Sequence, residues 1–98
     1  MTLRVDPEKN EVRALKSVTD WSGKRVLEIG CGDGRLTTRL AQLGAIVEAN
    51  DPKTEAIAKA RNTLPKRFAK KVRFKVGQAE RLGHANESFD AVVFAWSL

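Results

Sequence analysis

Val26-Leu27-Glu28-Ile29-Gly30-Cys31-Gly32-Asp33-Gly34-Arg35-Leu36-Thr37 is the stretch on which the reading of this chain turns. An aliphatic run feeds three glycines spaced two apart, and a helix-compatible segment follows. The order is strand, tight loop, helix N-terminus. Glycine reaches positive φ without a Cβ penalty and lets another group approach the backbone closely. The helix start adds unpaired N–H groups beside the loop.

The details of the loop sort its ligand. A dinucleotide fingerprint, G-x-G-x-x-G, requires glycine where Arg35 stands, and the phosphate loop G-x-x-x-x-G-K-[ST] is absent. A nicotinamide-dependent oxidoreductase is therefore disfavoured. What stands is E-x-G-x-G-x-G, with carboxylates at Glu28 and Asp33. Negative charge around the loop opposes a pyrophosphate and suits a cationic or amine-bearing ligand. The stretch resembles the first motif of class I S-adenosylmethionine-dependent methyltransferases. Their cofactor carries a sulfonium and an ammonium and no phosphate. The bland alternative is a glycine turn with a structural job alone.

Working outward, Asp6-Pro7 reads as an N-cap followed by proline at the first helical position. Val12, Leu15 and Val18 continue as one apolar stripe, so a helix is expected to about Ser17–Thr19. Trp21 reads as a lid over the core edge, and Trp21–Lys24 as a turn into a first strand, Arg25–Ile29. After the loop, Leu36, Leu40 and Leu43 mark a helix, with Gly44 at its C-terminal glycine position. Ala45–Asn50 is a second strand. Asp51-Pro52 repeats the cap-then-proline signature before a helix that buries Ala56, Ile57, Ala60 and Leu64 and stops at Pro65. Val72–Val76 alternates cleanly, as an edge strand does, and Gly77 breaks it. Phe89–Trp96 is nearly continuous in apolar residues, as in a strand buried on both faces.

Strands alternating with helices imply a parallel sheet with right-handed crossovers. The fold expected is α/β: a Rossmann-like parallel sheet of about four strands, order 3-2-1-4, with flanking helices. The 98 residues read as one small domain without repeats or linkers. No apolar run approaches a membrane span, and the N-terminus lacks a signal-peptide pattern. One cysteine excludes an internal disulfide and a Cys-rich zinc site, so a cytoplasmic protein without a metal is the plain expectation.

The family resemblance extends over residues 20–98 and implies further site residues. Asp51 lies where the family's ribose-binding acid stands, at the end of the second strand, with Pro52 beside it. Val76-Gly77-Gln78-Ala79-Glu80-Arg81-Leu82 looks like the segment that often reads G-D-A-E-x-L. There the acid contacts the adenine amino group. Gln78 replaces that acid here, and its carbonyl can still accept from an amino group; the Ala79 backbone would face the ring. Ser88-Phe89-Asp90 looks like the opening S-F-D of the family's fourth strand, with Asp90 structural and Ala95 bordering the methionine moiety. The implied cofactor is S-adenosylmethionine. Its site would comprise Glu28, Gly30, Cys31, Gly32, Asp33, Gly34, Asp51, Pro52, Gln78, Ala79 and Ala95, with no catalytic residue identified. Trp96 could wall the pocket or pack in the core. Cys31 lacks a basic partner, and His84 reads as a surface residue.

The resemblance most favours the small-molecule methyltransferases related to those of ubiquinone and menaquinone biosynthesis. A non-catalytic binding module is the alternative. Between Lys59 and Lys75 lie eight basic residues and no acid, more than the whole chain's net charge of +6. That run could attract RNA; its plainer reading is a solvated surface. The family sheet has seven strands, usually in the order 3-2-1-4-5-7-6, and only the first four are matched. The chain reads as a fragment or as a short protein completed by association. With the fourth strand at an edge and one face bare, a homo-oligomer through either is expected.

Overall fold

The computed structural model describes residues 2–5, 11–77 and 89–95, of which 2–5 and 11–14 are described by their backbone. Five strands are β1 (Thr2–Val5), β2 (Arg25–Ile29), β3 (Ile46–Asp51), β4 (Val72–Val76) and β5 (Ala91–Ala95). The helices are α1 (Glu11–Val18), α2 (Arg35–Gln42) and α3 (Thr54–Thr63), with a 3-10 turn at Lys66–Phe68. All strand pairs are parallel, in the order β1-β5-β2-β3-β4. Within that order, β4-β3-β2-β5 is the expected 3-2-1-4 arrangement.

β1 is the addition. It pairs with β5 in the register Leu3↔Val93, so the apolar strand expected at an open edge has a neighbour on each side. The physical premise for association through that edge is therefore gone. Phe89 and Asp90 precede the strand instead of forming part of it. Asp90 has the structural role anticipated: its Oδ2 accepts from the Arg25 N–H at 2.8 Å, and its own N–H donates to the Arg25 carbonyl at 2.7 Å.

Alternation along the strands gives the sheet two different faces. Val26, Val47, Ala49, Phe74, Ala91 and Val93 share one buried core with Leu36 and Leu40 of α2 and with Ile57 and Ala60 of α3. Leu15 of α1 and Trp21 join them, and the Trp21 indole N–H donates to the Leu15 carbonyl at 2.7 Å. A buried indole needs such a partner. The other face groups Leu27 and Val92, both buried, with half-buried Ile29, Phe89 and Phe94. It is less bare than expected. β4 behaves as an edge strand should, with Phe74 inward and Arg73 and Lys75 exposed.

The helix ends follow local chemistry. Gly44 takes φ +94, where its N–H meets the Ala41 carbonyl at 3.0 Å, closing α2 as anticipated. α3 starts later than its cap signature suggested. Its N-cap is Lys53, without a side-chain cap. Asp51 instead spends Oδ1 on the Lys53 N–H at 2.9 Å, an Asx-type turn through Pro52. The expected helix at 6–10 lies outside the described residues, and α1 covers its later part. None of the described helices is long and apolar enough to cross a membrane.

Candidate functional site

β3 and β4 lie on one side of β2, and β5 and β1 on the other. The chain therefore reverses direction beside β2, and open α/β sheets place ligands at the strand C-termini of such a switch point. The glycine loop, residues 30–34, sits there. Gly30, Gly32 and Gly34 have φ of +76, +55 and +85, a region that side chains rarely adopt. Two of them also have steric reasons to be glycine. A Cβ on Gly34 would stand 3.0 Å from the Ala60 Cβ, and one on Gly30 would be 3.3 Å from the Ala95 carbonyl oxygen. A Cβ on Gly32 would meet nothing within 4 Å among the described residues, so the backbone there is open on that side.

Four of the five amide groups of this loop are already used. Gly30 and Cys31 N–H both donate to the Asn50 carbonyl, at 2.9 and 3.0 Å. Gly32 N–H donates to Asp51 Oδ2 at 3.0 Å, and Gly34 N–H to the Cys31 carbonyl at 3.0 Å. Arg35 N–H reaches Asp33 Oδ1 at 3.3 Å. A phosphate cradle depends on free, convergent N–H groups. Here four of them are consumed internally, and the carboxylates of Glu28, Asp33 and Asp51 lie around the loop.

Those carboxylates differ in environment. Asp51 is 7% exposed at the end of β3 and ties the loop to the start of the α3 segment with one oxygen each way. Gly77 N–H donates to its carbonyl at 3.0 Å, so the end of β4 is fastened to the same point. Glu28 is fully buried. Its Oε1 accepts from the Thr37 hydroxyl on α2, and its Oε2 has no partner among the described residues. Burial pushes its carboxyl up to about 7, the Thr37 hydrogen bond opposes the rise, and the Asp51 charge adds to it. Asp33 is exposed, and its carbonyl accepts from the Thr63 hydroxyl at 3.3 Å.

The structure thus brings Gly30, Cys31, Gly32, Asp51 and Ala95 to one end of the sheet, with Glu28 beneath them. Asp33 and Gly34 turn toward α3, and they line a hollow of about 300 Å³ with Arg35, Thr38, Arg39 and Thr63. Pro52 is exposed beside Asp51. Gln78, Ala79, His84 and Trp96 lie outside the described residues. Cys31 is buried, and its thiol is pushed up to about 12 by burial and then by Glu28 and Asp51. Burial and that rise both work against a thiolate nucleophile near neutral pH. Two contributors escaped the sequence reading. Thr37, the partner of Glu28, could have been found as a hydroxyl on the inward side of α2. The Asn50 carbonyl, which takes two loop amides, leaves no side-chain signal.

Comparison with known proteins agrees with this geometry. A methyltransferase-domain family model matches residues 26–98. A ubiquinone biosynthesis O-methyltransferase from Rhizobium rhizogenes is 39% identical over 85 residues, spanning 87% of this chain and 34% of the relative. Magnesium protoporphyrin IX methyltransferase from Synechocystis, crystallised with S-adenosylmethionine, superposes with a TM-score of 0.70. It is 26% identical and covers 85% of this chain, against 39% of that structure. An S-adenosylmethionine-dependent methyltransferase from Mesorhizobium loti, at 22% identity, shares the fold with a TM-score of 0.72 over 93% of this chain and 40% of its own. The chain spans about a third of the length of the curated relatives it matches.

Proposed function

The chain belongs to the class I S-adenosylmethionine-dependent methyltransferases, and from that premise we propose that residues 1–98 are the cofactor-binding part of such an enzyme. The observation that carries the reading is the glycine loop with four of its five amides spent internally, Asp33 and Asp51 beside it and Glu28 beneath. A dinucleotide would find no phosphate cradle there. A sulfonium and an ammonium would find negative charge and, over Gly32, open backbone. The residues present fit the cofactor.

In this reading Asp51 holds the ribose hydroxyls. Each of its oxygens accepts one backbone N–H and keeps a lone pair for a second donor. Gly30, Gly32 and Ala95 border the methionine moiety, and Gln78 with Ala79 meets the adenine. The cofactor supplies an electrophilic methyl group. The chain's own part is to bind, orient and set the field, because in-line displacement depends mainly on positioning. Most of the acceptor site belongs to the later strands of the family fold. The acceptor proposed is a small molecule, in keeping with the O-methyltransferase relatives. Self-association is assigned to the second sheet face, through half-buried Ile29 and Phe94; a monomer by light scattering would remove it.

Calorimetric titration with S-adenosylhomocysteine tests the cofactor site. Saturable binding is expected, weakened at least about tenfold in Asp51→Ala, as for loss of one charge-assisted hydrogen-bond pair. A folded sample that does not bind would refute the assignment for this chain.

A further inference from the structure

At the opposite end of the sheet lies a second hollow, of about 340 Å³. Arg25, Ile46 and Val72, the first residues of β2, β3 and β4, line it. At about 3.3 Å of rise per residue, a five-residue strand puts it some 15 Å from the glycine loop. Its walls carry Lys70, Lys71, Arg73 and Arg25, and Phe89 closes one side. The Arg25 guanidinium stands over the half-buried Phe89 ring, 5.8 Å from its centroid.

The folded chain rearranges the basic run seen in the sequence. Arg61 is drawn off to the Phe74 carbonyl at 3.2 Å, and Lys75 pairs with Glu48 at 3.0 Å. That ion pair also offsets Glu48, the acid among the lining residues. Asp90 directs its Oδ2 to the Arg25 backbone N–H. What the hollow keeps is the connector pair Lys70 and Lys71 with Arg73 of β4. It gains Arg25 and an aromatic ring from elsewhere in the chain. Cations alone describe a solvated surface. Cations arranged around a concavity with a guanidinium within cation–π range of a ring describe the elements used to hold a nucleic acid strand: phosphates on the charges, a base against the aromatic face.

We propose that this hollow binds single-stranded RNA, with Lys70, Lys71 and Arg73 on successive phosphates and one base packed against Arg25 and Phe89. The volume favours a nucleotide-sized unit over a bare anion, since it reaches the lower end of small-molecule clefts, about 300–1,000 Å³. The concave shape disfavours a bilayer surface, which needs protruding apolar groups. The proposal is independent of the cofactor site.

Fluorescence anisotropy with a labelled 12-nucleotide oligouridine tests it on the whole chain. Saturable binding is expected at 50 mM salt, with a log–log salt slope of about −2 to −3 for three or four neutralised phosphates. Lys70→Glu with Lys71→Glu should weaken binding at least about tenfold and flatten that slope by about one to one and a half. Phe89→Leu, which keeps an apolar group in the second cluster but removes the flat ring, should weaken it about fivefold or more. Circular dichroism would establish that each variant folds. The proposal is overturned by an absence of saturable binding or by unchanged affinity in the folded lysine variant. It is equally overturned if millimolar inorganic phosphate displaces the RNA fully, or if phosphatidylglycerol vesicles bind more tightly than the oligonucleotide.

Discussion

Replacing Glu28 by Gln should change how stability depends on pH, and the size of the change follows from its surroundings. The carboxyl is fully buried and raised from its ordinary 4.5 to about 7. Between those values the folded chain holds a proton that the unfolded chain has released. Stability therefore falls as pH rises through that window, and the Glu28 contribution is fully present below about 4.5 and lost above about 7. At 1.36 kcal/mol per pKa unit, the loss is about 3 kcal/mol. Gln keeps an acceptor for the Thr37 hydroxyl but cannot ionise. Its amide would occupy the position of Oε2, which has no partner among the described residues, at a cost of about 1–3 kcal/mol for unsatisfied donors. At pH 4 the variant should be the less stable protein by that amount. By pH 8 the balance should have moved about 3 kcal/mol in its favour. Urea unfolding of both proteins at several pH values reads the difference directly, and taking the difference cancels the other titrating groups. A difference that moves by less than about 1 kcal/mol between pH 4 and 8 would refute the account of Glu28 as a carboxyl raised by burial.

The glycine loop separates two costs. Gly34→Ala meets Ala60 at 3.0 Å as well as a positive φ and should lose about 3 kcal/mol, whereas Gly32→Ala meets open space and should lose about 1 kcal/mol from φ alone; equal losses in urea titrations would contradict the steric reading. Cys31 should resist a thiol reagent at pH 8 in the native protein and react at once in denaturant, since its thiol is buried and pushed up to about 12; rapid native labelling would show that the loop opens. Trp21→Phe removes the indole bond to the Leu15 carbonyl and should cost about 1–3 kcal/mol, read as a lower thermal midpoint; an unchanged midpoint would make that bond irrelevant to stability.

Much of the architecture was legible because its signals are local. The bounds of β2 and β4 and the close of α2 at Gly44 follow from apolar runs, clean alternation and one glycine. Asp51 was identified as a key acid, yet its structural task was misassigned. Whether a carboxylate caps a helix or ties a loop to the next turn depends on which amides lie nearby, and Gly32 arrives from another segment. Glu28 likewise read as part of a pocket wall, although the alternation of β2 already placed it on the same side as Val26, toward α2. β1 escaped notice because Thr2–Val5 has four residues and no neighbouring strand in sequence. The basic run was visible as charge, but Arg25 and Phe89 join it only through the fold.

The partnership of β1 and β5 also bears on how the chain folds in time. Leu3 aligns with Val93, near the two extremes of the sequence. Contacts of such separation carry a high loop-closure cost and slow folding. During synthesis, β1 emerges well before β5, the strand it joins. β1 is thus among the last strands to find its place, and its own unpaired backbone stays open to competing strands until β5 has emerged.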